Sequence, residues 1–171
     1  TNAGLWRYLP GDTVTFTSTH PYKFKIKGRT KHFINAFGEE VMVENTDKAL
    51  AKTCRATGAI ASEYTAAPIF MNAGKGGHEW LIEFERPPAD LQVFEQLLDK
   101  NLQLINSDYE AKRYKNMALE CLKVQPIPQG TFVNWLKSKG KQGSQVKVPR
   151  LANHRTYMEE LHNFLAHIEW N

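Results

Sequence analysis

Asp12 follows the tight-turn sequence Leu9-Pro10-Gly11 and directly precedes a strand pattern. A carboxylate placed there can accept two hydrogen bonds from a vicinal diol such as ribose. It can equally cap its own turn backbone. Arg29 closes a second strand pattern. Its planar fork of donors never loses its charge, which suits a nucleotide or a plain surface strand end. Lys31 lies two residues on, where the backbone could pivot, and Gly38 permits a tight turn or a close ligand approach. Late in the chain, Lys141, Lys147 and Arg150 belong to the stretch from Gly140 to Leu151, a basic loop by composition. Its lysines can reach a phosphate or carboxylate as point charges, or remain solvated.

Other chemistries are argued against. Gly74-Lys75-Gly76-Gly77 lacks the GxxxxGK[ST] spacing and no helix pattern follows it, so it reads as a hairpin loop. His162 and His167 are five apart, not three or four, and no cysteine accompanies them, so no metal site is expected. No nucleophile elbow or hydrolase triad order is present. Cys54 and Cys121 read as small buried hydrophobes in a reducing compartment.

The elements that must position these residues follow from composition and period. With 171 residues, 42% hydrophobic and 23% charged, the chain can bury a full core and is not disordered. No apolar run reaches the roughly 18–20 residues of a membrane helix. No signal-peptide pattern is present, and a cytoplasmic location is expected. The chain opens Thr1-Asn2-Ala3 without an initiating methionine, which fits a piece of something longer. A net charge of +4 permits phosphate contact without specifying nucleic acid.

Val14 and Phe16 alternate with threonines, and Tyr22, Phe24 and Ile26 alternate with Lys23, Lys25 and Lys27. This predicts a hairpin with its lysines on a wet face. A helix is predicted from Val41 to Thr57, stopped by Gly58. Strand patterns cover Ile60–Tyr64, Ile69–Met71, Trp80–Glu85 and Leu119–Val124, the last stopped by Pro126 and Pro128. Leu91 to Ile105 is an amphipathic helix, and Ser107 to Glu110 matches a capping box for a second piece. Thr131 is placed to cap a short helix through Lys139, and Met158, Leu161, Leu165 and Ile168 mark a last helix. The order predicts an α+β fold, a mixed or antiparallel sheet with helices packed on it.

Read together, Tyr8 to Asp12, Gly28 to Lys31 with Gly38, and Lys147 to Arg150 resemble the C-terminal part of an adenylate-forming enzyme. The full chain resembles the C-terminal region of the auxin-responsive promoter (Gretchen Hagen) family of acyl acid amido synthetases, in a bacterial form. Thr1 to Tyr8, His78 to Phe84, Asn106 to Arg113 and Gln145 to Leu151 carry this resemblance, in that order. It implies activation of a carboxylic acid with ATP and Mg²⁺ to an acyl-adenylate, then transfer to an amino acid amine. It implies that residues 1–28 are the last strands of an N-terminal adenylation domain, the missing partner. Residues 29–171 are then a mobile C-terminal domain. Asp12 would bind the ribose, Arg29 would hold the nucleotide, Lys31 would be the hinge, and Lys147 would reach the α-phosphate and carboxylate, with Lys141 as its rival. In the wider superfamily the hinge is often aspartate.

Two alternatives are a basic α+β module that binds nucleic acid and a stand-alone interaction module. Alternation puts the hairpin aromatics and lysines on opposite faces, which argues against nucleic acid as the partner. If Asp12 and Arg29 form only the edge of a nucleotide site, the isolated chain should bind ATP more weakly than micromolar, because such pockets bury most of their ligand. Titration calorimetry checks this.

Overall fold

The computed structural model describes residues 4, 6, 11–29, 32–71, 75–116, 118–141 and 147–167. Strands β1 (Asp12–Thr19) and β2 (Tyr22–Arg29) form an antiparallel hairpin. The expected alternation is present as register, with Val14 opposite Ile26 and Phe16 opposite Phe24. Burial departs from the expectation of one wet face. Tyr22 is 77% exposed, Phe24 61% and Ile26 66%, so the aromatic face is uncovered as well. Phe16 makes edge contacts with Tyr22 and Phe24, and the apolar rings shield one another.

Strands β3 (Phe33–Ile34) and β4 (Val41–Met42) form a two-residue ladder that leads into helix α1 (Val43–Thr57). Val41 and Met42, expected as helix, are therefore strand. The main sheet has the order β5-β6-β7, with β5 (Ile60–Phe70) antiparallel and β7 (Lys123–Ile127) parallel to the central β6 (Gly76–Arg86). Between β6 and β7 run α2 (Leu91–Ile105), α3 (Ser107–Arg113) and a 3-10 turn, Tyr114–Asn116. Helices α4 (Thr131–Ser138) and α5 (Thr156–His167) follow.

Strand periodicity sorts the core into two clusters. Trp80, Ile82 and Phe84 join Leu50, Phe94, Leu98 and Tyr109 from α1, α2 and α3. Leu81 joins Phe132, Trp135, Met158 and Leu161 from α4 and α5 on the other face. The α+β architecture is thus a mixed sheet between two helical layers.

Prolines misled the strand boundaries. Ile60–Tyr64 and Ile69–Met71 were expected as separate pieces, yet β5 runs unbroken through Pro68. Two residues earlier, the Ala66 amide points away from β6 and donates to the Arg150 carbonyl at 2.8 Å. Pro68 shares that direction, so its missing donor falls outside the ladder. The same holds in β7, which starts later than the expected Leu119 and continues through Pro126. The Val124 amide points outward to Glu95 Oε1 at 2.7 Å, and Pro126 follows it in phase. Caps shift by one residue. Asn106, not Ser107, accepts from the Tyr109 amide at 2.7 Å and starts α3. Gly130, not Thr131, precedes α4, and the Glu83 carboxylate serves as its acceptor, taking the Phe132 amide at 2.6 Å.

Gly76 is required by a close approach. A Cβ there would lie 1.9 Å from the Phe37 ring and 2.5 Å from the Ile69 carbonyl, which is backbone and cannot swing aside. Gly76→Ala is expected to destabilise the fold by about 1–3 kcal/mol, the usual cost of overpacking. The midpoint of urea unfolding measures it.

Candidate functional site

The hairpin brings the first two candidates together. Asp12, at the start of β1, is the Cα partner of Arg29, at the end of β2. Residues distant in sequence thus share the open end of the hairpin. Lys31, the expected pivot, lies outside the described residues.

The chain after that point is held firmly. Ile34 is fully buried, and the Asn35 amide donates to Asn153 Oδ1 at 2.8 Å. Gly38 has φ +83°, a left-handed turn that favours glycine. The turn lets the Glu39 carboxylate accept from the Phe37 amide at 2.7 Å and from His78 Nε2 at 2.9 Å. Both side chains of this pair are fully buried, and the Tyr109 ring lies 5.3 Å from the imidazole, centroid to centroid. Asn106 Nδ2 donates to the Glu40 carbonyl at 3.2 Å. No spacing rule flagged Glu39 and His78, because 39 residues and a sheet separate them. The signal available was an acid beside Gly38 and a histidine near the start of a strand whose centre is apolar, Trp80-Leu81-Ile82.

Lys147 is exposed. Lys141 is exposed too, and its amide closes the end of α4 on the Leu136 carbonyl at 3.0 Å. Residues 142–146, between the two lysines, lie outside the described residues. Arg150 differs from the expectation of a basic loop that is free to meet a phosphate. Its guanidinium donates to both oxygens of Asp47, at 3.0 and 2.9 Å, and to Glu63 Oε1 at 3.1 Å. Burial alone would lower its pKa; the two carboxylates more than offset this and raise it. Burial, then the hydrogen bond to Asp47, pushes the Tyr64 phenol up, so it remains a donor to Asp47 at 2.6 Å.

Asp47 also lines a cleft of about 480 Å³ between the hairpin and the start of α1, with Thr15, Lys25 and Ile26 on the hairpin side. The hairpin, α1 and the Arg150 segment therefore meet around one aspartate.

The sequence matches the GH3 family C-terminal domain over residues 44–156, well over half of the chain. The chain belongs to the GH3 family. Two solved structures share the fold of this GH3 chain. One is a GH3.15 acyl acid amido synthetase, with TM-score 0.72 and 18% identity, covering 97% of this chain and 31% of that one. The other is described as AtGH3.15 acyl acid amido synthetase in complex with 2,4-DB, with TM-score 0.72 and 17% identity, covering 96% and 31%. The GH3 chain thus spans less than a third of the length of these relatives. No curated protein matches it.

Two of the stretches that carried the family resemblance, Asn106 to Arg113 and His78 to Phe84, supply structural ties in this GH3 fold. Asn106 caps α3, and Arg113 forks onto Asp99 with distances of 2.9 to 3.0 Å. Glu79 receives Arg155 at 2.6 Å and His162 at 2.9 Å.

Glu39 supplies a test of the buried pair. Burial alone would raise its pKa; the His78 hydrogen bond and the backbone amides outweigh this and set it below the ordinary 4.5. A depressed folded value contributes stability that is present above pH 4.5 and lost as pH falls through the folded value. Glu39→Gln should therefore be less stable than the parent near neutrality, and the gap should close below about pH 4.5. Unfolding midpoints across pH 3–7 measure it. A gap independent of pH would show that the carboxylate charge contributes nothing.

Proposed function

We propose that this chain is the C-terminal part of an ATP-dependent acyl-adenylating ligase, which passes its acyl group to an amino acid amine in the cytoplasm. Residues 1–28 are the last strands of the adenylation domain, and residues 29–171 are the mobile C-terminal domain. The observation that carries this reading is the pairing of Asp12 with Arg29 at the open end of the hairpin, next to the expected hinge. In this reading the two residues together supply one edge of the nucleotide site. Family membership and the shared fold support the same assignment. The uncovered aromatic face of the hairpin suits a strand pair that packs against the rest of an adenylation domain.

In this reading a substrate carboxylate oxygen attacks the α-phosphorus of ATP. The bond to the β-phosphate oxygen breaks and pyrophosphate leaves. The neutral amine then attacks the acyl carbon, AMP leaves, and the nitrogen gives up a proton to solvent as the amide forms. The first step drives two anions together, so catalysis is positioning plus stabilisation of spreading negative charge. Asp12 accepts hydrogen bonds from the ribose hydroxyls, and Arg29 holds the nucleotide. Lys147, delivered by rotation about Lys31, neutralises charge at the α-phosphate and carboxylate. Mg²⁺ accompanies the ATP phosphates. Among the described residues no group of three or more His, Cys, Asp or Glu could hold a metal ion, and no metal ligand is assigned to this chain.

In the full-length ligase, Lys147→Ala should slow pyrophosphate exchange by about 100-fold or more, the scale of losing one well-placed donor. Transfer from supplied acyl-adenylate should suffer much less. Lys141→Ala is the matched control and should cost little. A larger loss from Lys141→Ala would move the role to that lysine, and no loss from either would leave the loop a solvated turn.

A further inference from the structure

The lysine loop needs a fixed root if its tip is to arrive at one place. Its described C-terminal side is tied to β5 by three hydrogen bonds. The Thr65 hydroxyl donates to the Pro149 carbonyl at 2.6 Å. The Ala66 amide donates to the Arg150 carbonyl at 2.8 Å, and the Ala152 amide returns to the Ala66 carbonyl at 3.2 Å. Leu151 forms a parallel bridge with Ala66 on the outer edge of β5 and is buried. The Arg150 side chain adds the only cross-element ion pairs of this short stretch among the described residues. It joins Asp47 on α1 to Glu63 on β5, with its guanidinium 5.3 Å from the Tyr64 ring centroid. Asp47 is itself oriented by the Tyr64 hydroxyl, which meets Thr46 Oγ1 at 2.7 Å.

Resting on the proposed ligase function, we infer that Arg150 is a positioning residue: it anchors the root of the loop to α1 and β5 so that Lys147 is presented beside the cleft lined by Asp47. A phosphate-binding role fits this arginine poorly. Two of its three guanidinium nitrogens already donate to carboxylates, Nε to Glu63 and Nη1 to Asp47, so most of its fork is committed within the fold. Lys147 stands three residues upstream, so its Cα lies within about 11 Å of that of Arg150, the reach of three extended residues. Misplacement by about 1 Å can cost up to 100-fold in a reaction that depends on positioning. Exposed pairs contribute little singly, but the two ion pairs and the ring contact act on one side chain and add up to a tether.

The experiment has two arms. On this chain, hydrogen exchange of amides in residues 147–152 is compared for the parent, Arg150→Met, Arg150→Lys and Asp47→Asn. In the full-length ligase, pyrophosphate exchange and the KM for ATP are measured for the same variants and for Lys147→Ala. The expected result is about tenfold faster amide exchange in Arg150→Met with α2 unchanged, and about tenfold slower pyrophosphate exchange at nearly constant KM for ATP. Arg150→Lys should recover part of both, and Asp47→Asn should loosen the same amides without tightening ATP. Unchanged amides in 147–152 would overturn the anchor whatever the kinetics. A raised KM for ATP with unchanged amides would make Arg150 a phosphate ligand instead. Loosened amides with an unchanged rate, while Lys147→Ala is slow, would remove the positioning role and leave the ligase reading standing. Loosened amides with no loss from either variant would instead sink the assignment of Lys147, and the positioning role with it.

Discussion

Strand β6 carries ionisable groups into the middle of the protein, and much of the fold follows from satisfying them. His78 is fully buried, Glu83 nearly so, and the Glu79 side chain is only 15% exposed. Burying a charge without a partner costs several kcal/mol, so each needs one. The partners come from three different places. Glu39 meets His78 and so seats the segment before α1. Arg155 and His162 meet Glu79 and seat α5. The Gly130 and Phe132 amides meet Glu83 and start α4. Apolar packing sets the layers, and these contacts set which piece of chain occupies each place.

The two edges of the sheet are closed by different means. On β7, the Glu95 carboxylate takes the outward amide of Val124, and Pro126 has no amide to offer. On β5, Pro68 plays the same part, and residues 150–152 cover the middle of the edge. An edge with few free donors does not recruit another strand. The segment that covers β5 is also the root of the lysine loop, so edge protection and loop placement share the same hydrogen bonds.

In the proposed ligase this sharing has a mechanical meaning. A domain that rotates about a hinge must move as one body. The segment after the hinge is tied to β6 through Glu39 and to residue 153 through the Asn35 amide. Residue 153 in turn follows the stretch anchored on β5. Residues 35 and 39, after the expected hinge, and residues 150–152, after the expected mobile lysine, are thus tied into the same sheet and its edge.

The sequence by itself determined the local elements and the family. Helical period placed α1, α2 and α5 to within a few residues, and strict alternation placed the hairpin, because both depend on side chains close in sequence. The ordered motifs from Tyr8 to Arg150 point to the GH3 family. Tertiary structure decided what period cannot express. Pro68 and Pro126 lie within strands because the outward direction of their missing amides depends on which neighbour lies on each side. Arg150 is an anchor because α1 and β5 each bring a carboxylate to it, from 103 and 87 residues away. Glu39 and His78 pair because a left-handed turn at Gly38 folds one segment over the sheet, and the free energy of a buried pair exists only once the surrounding core has excluded water.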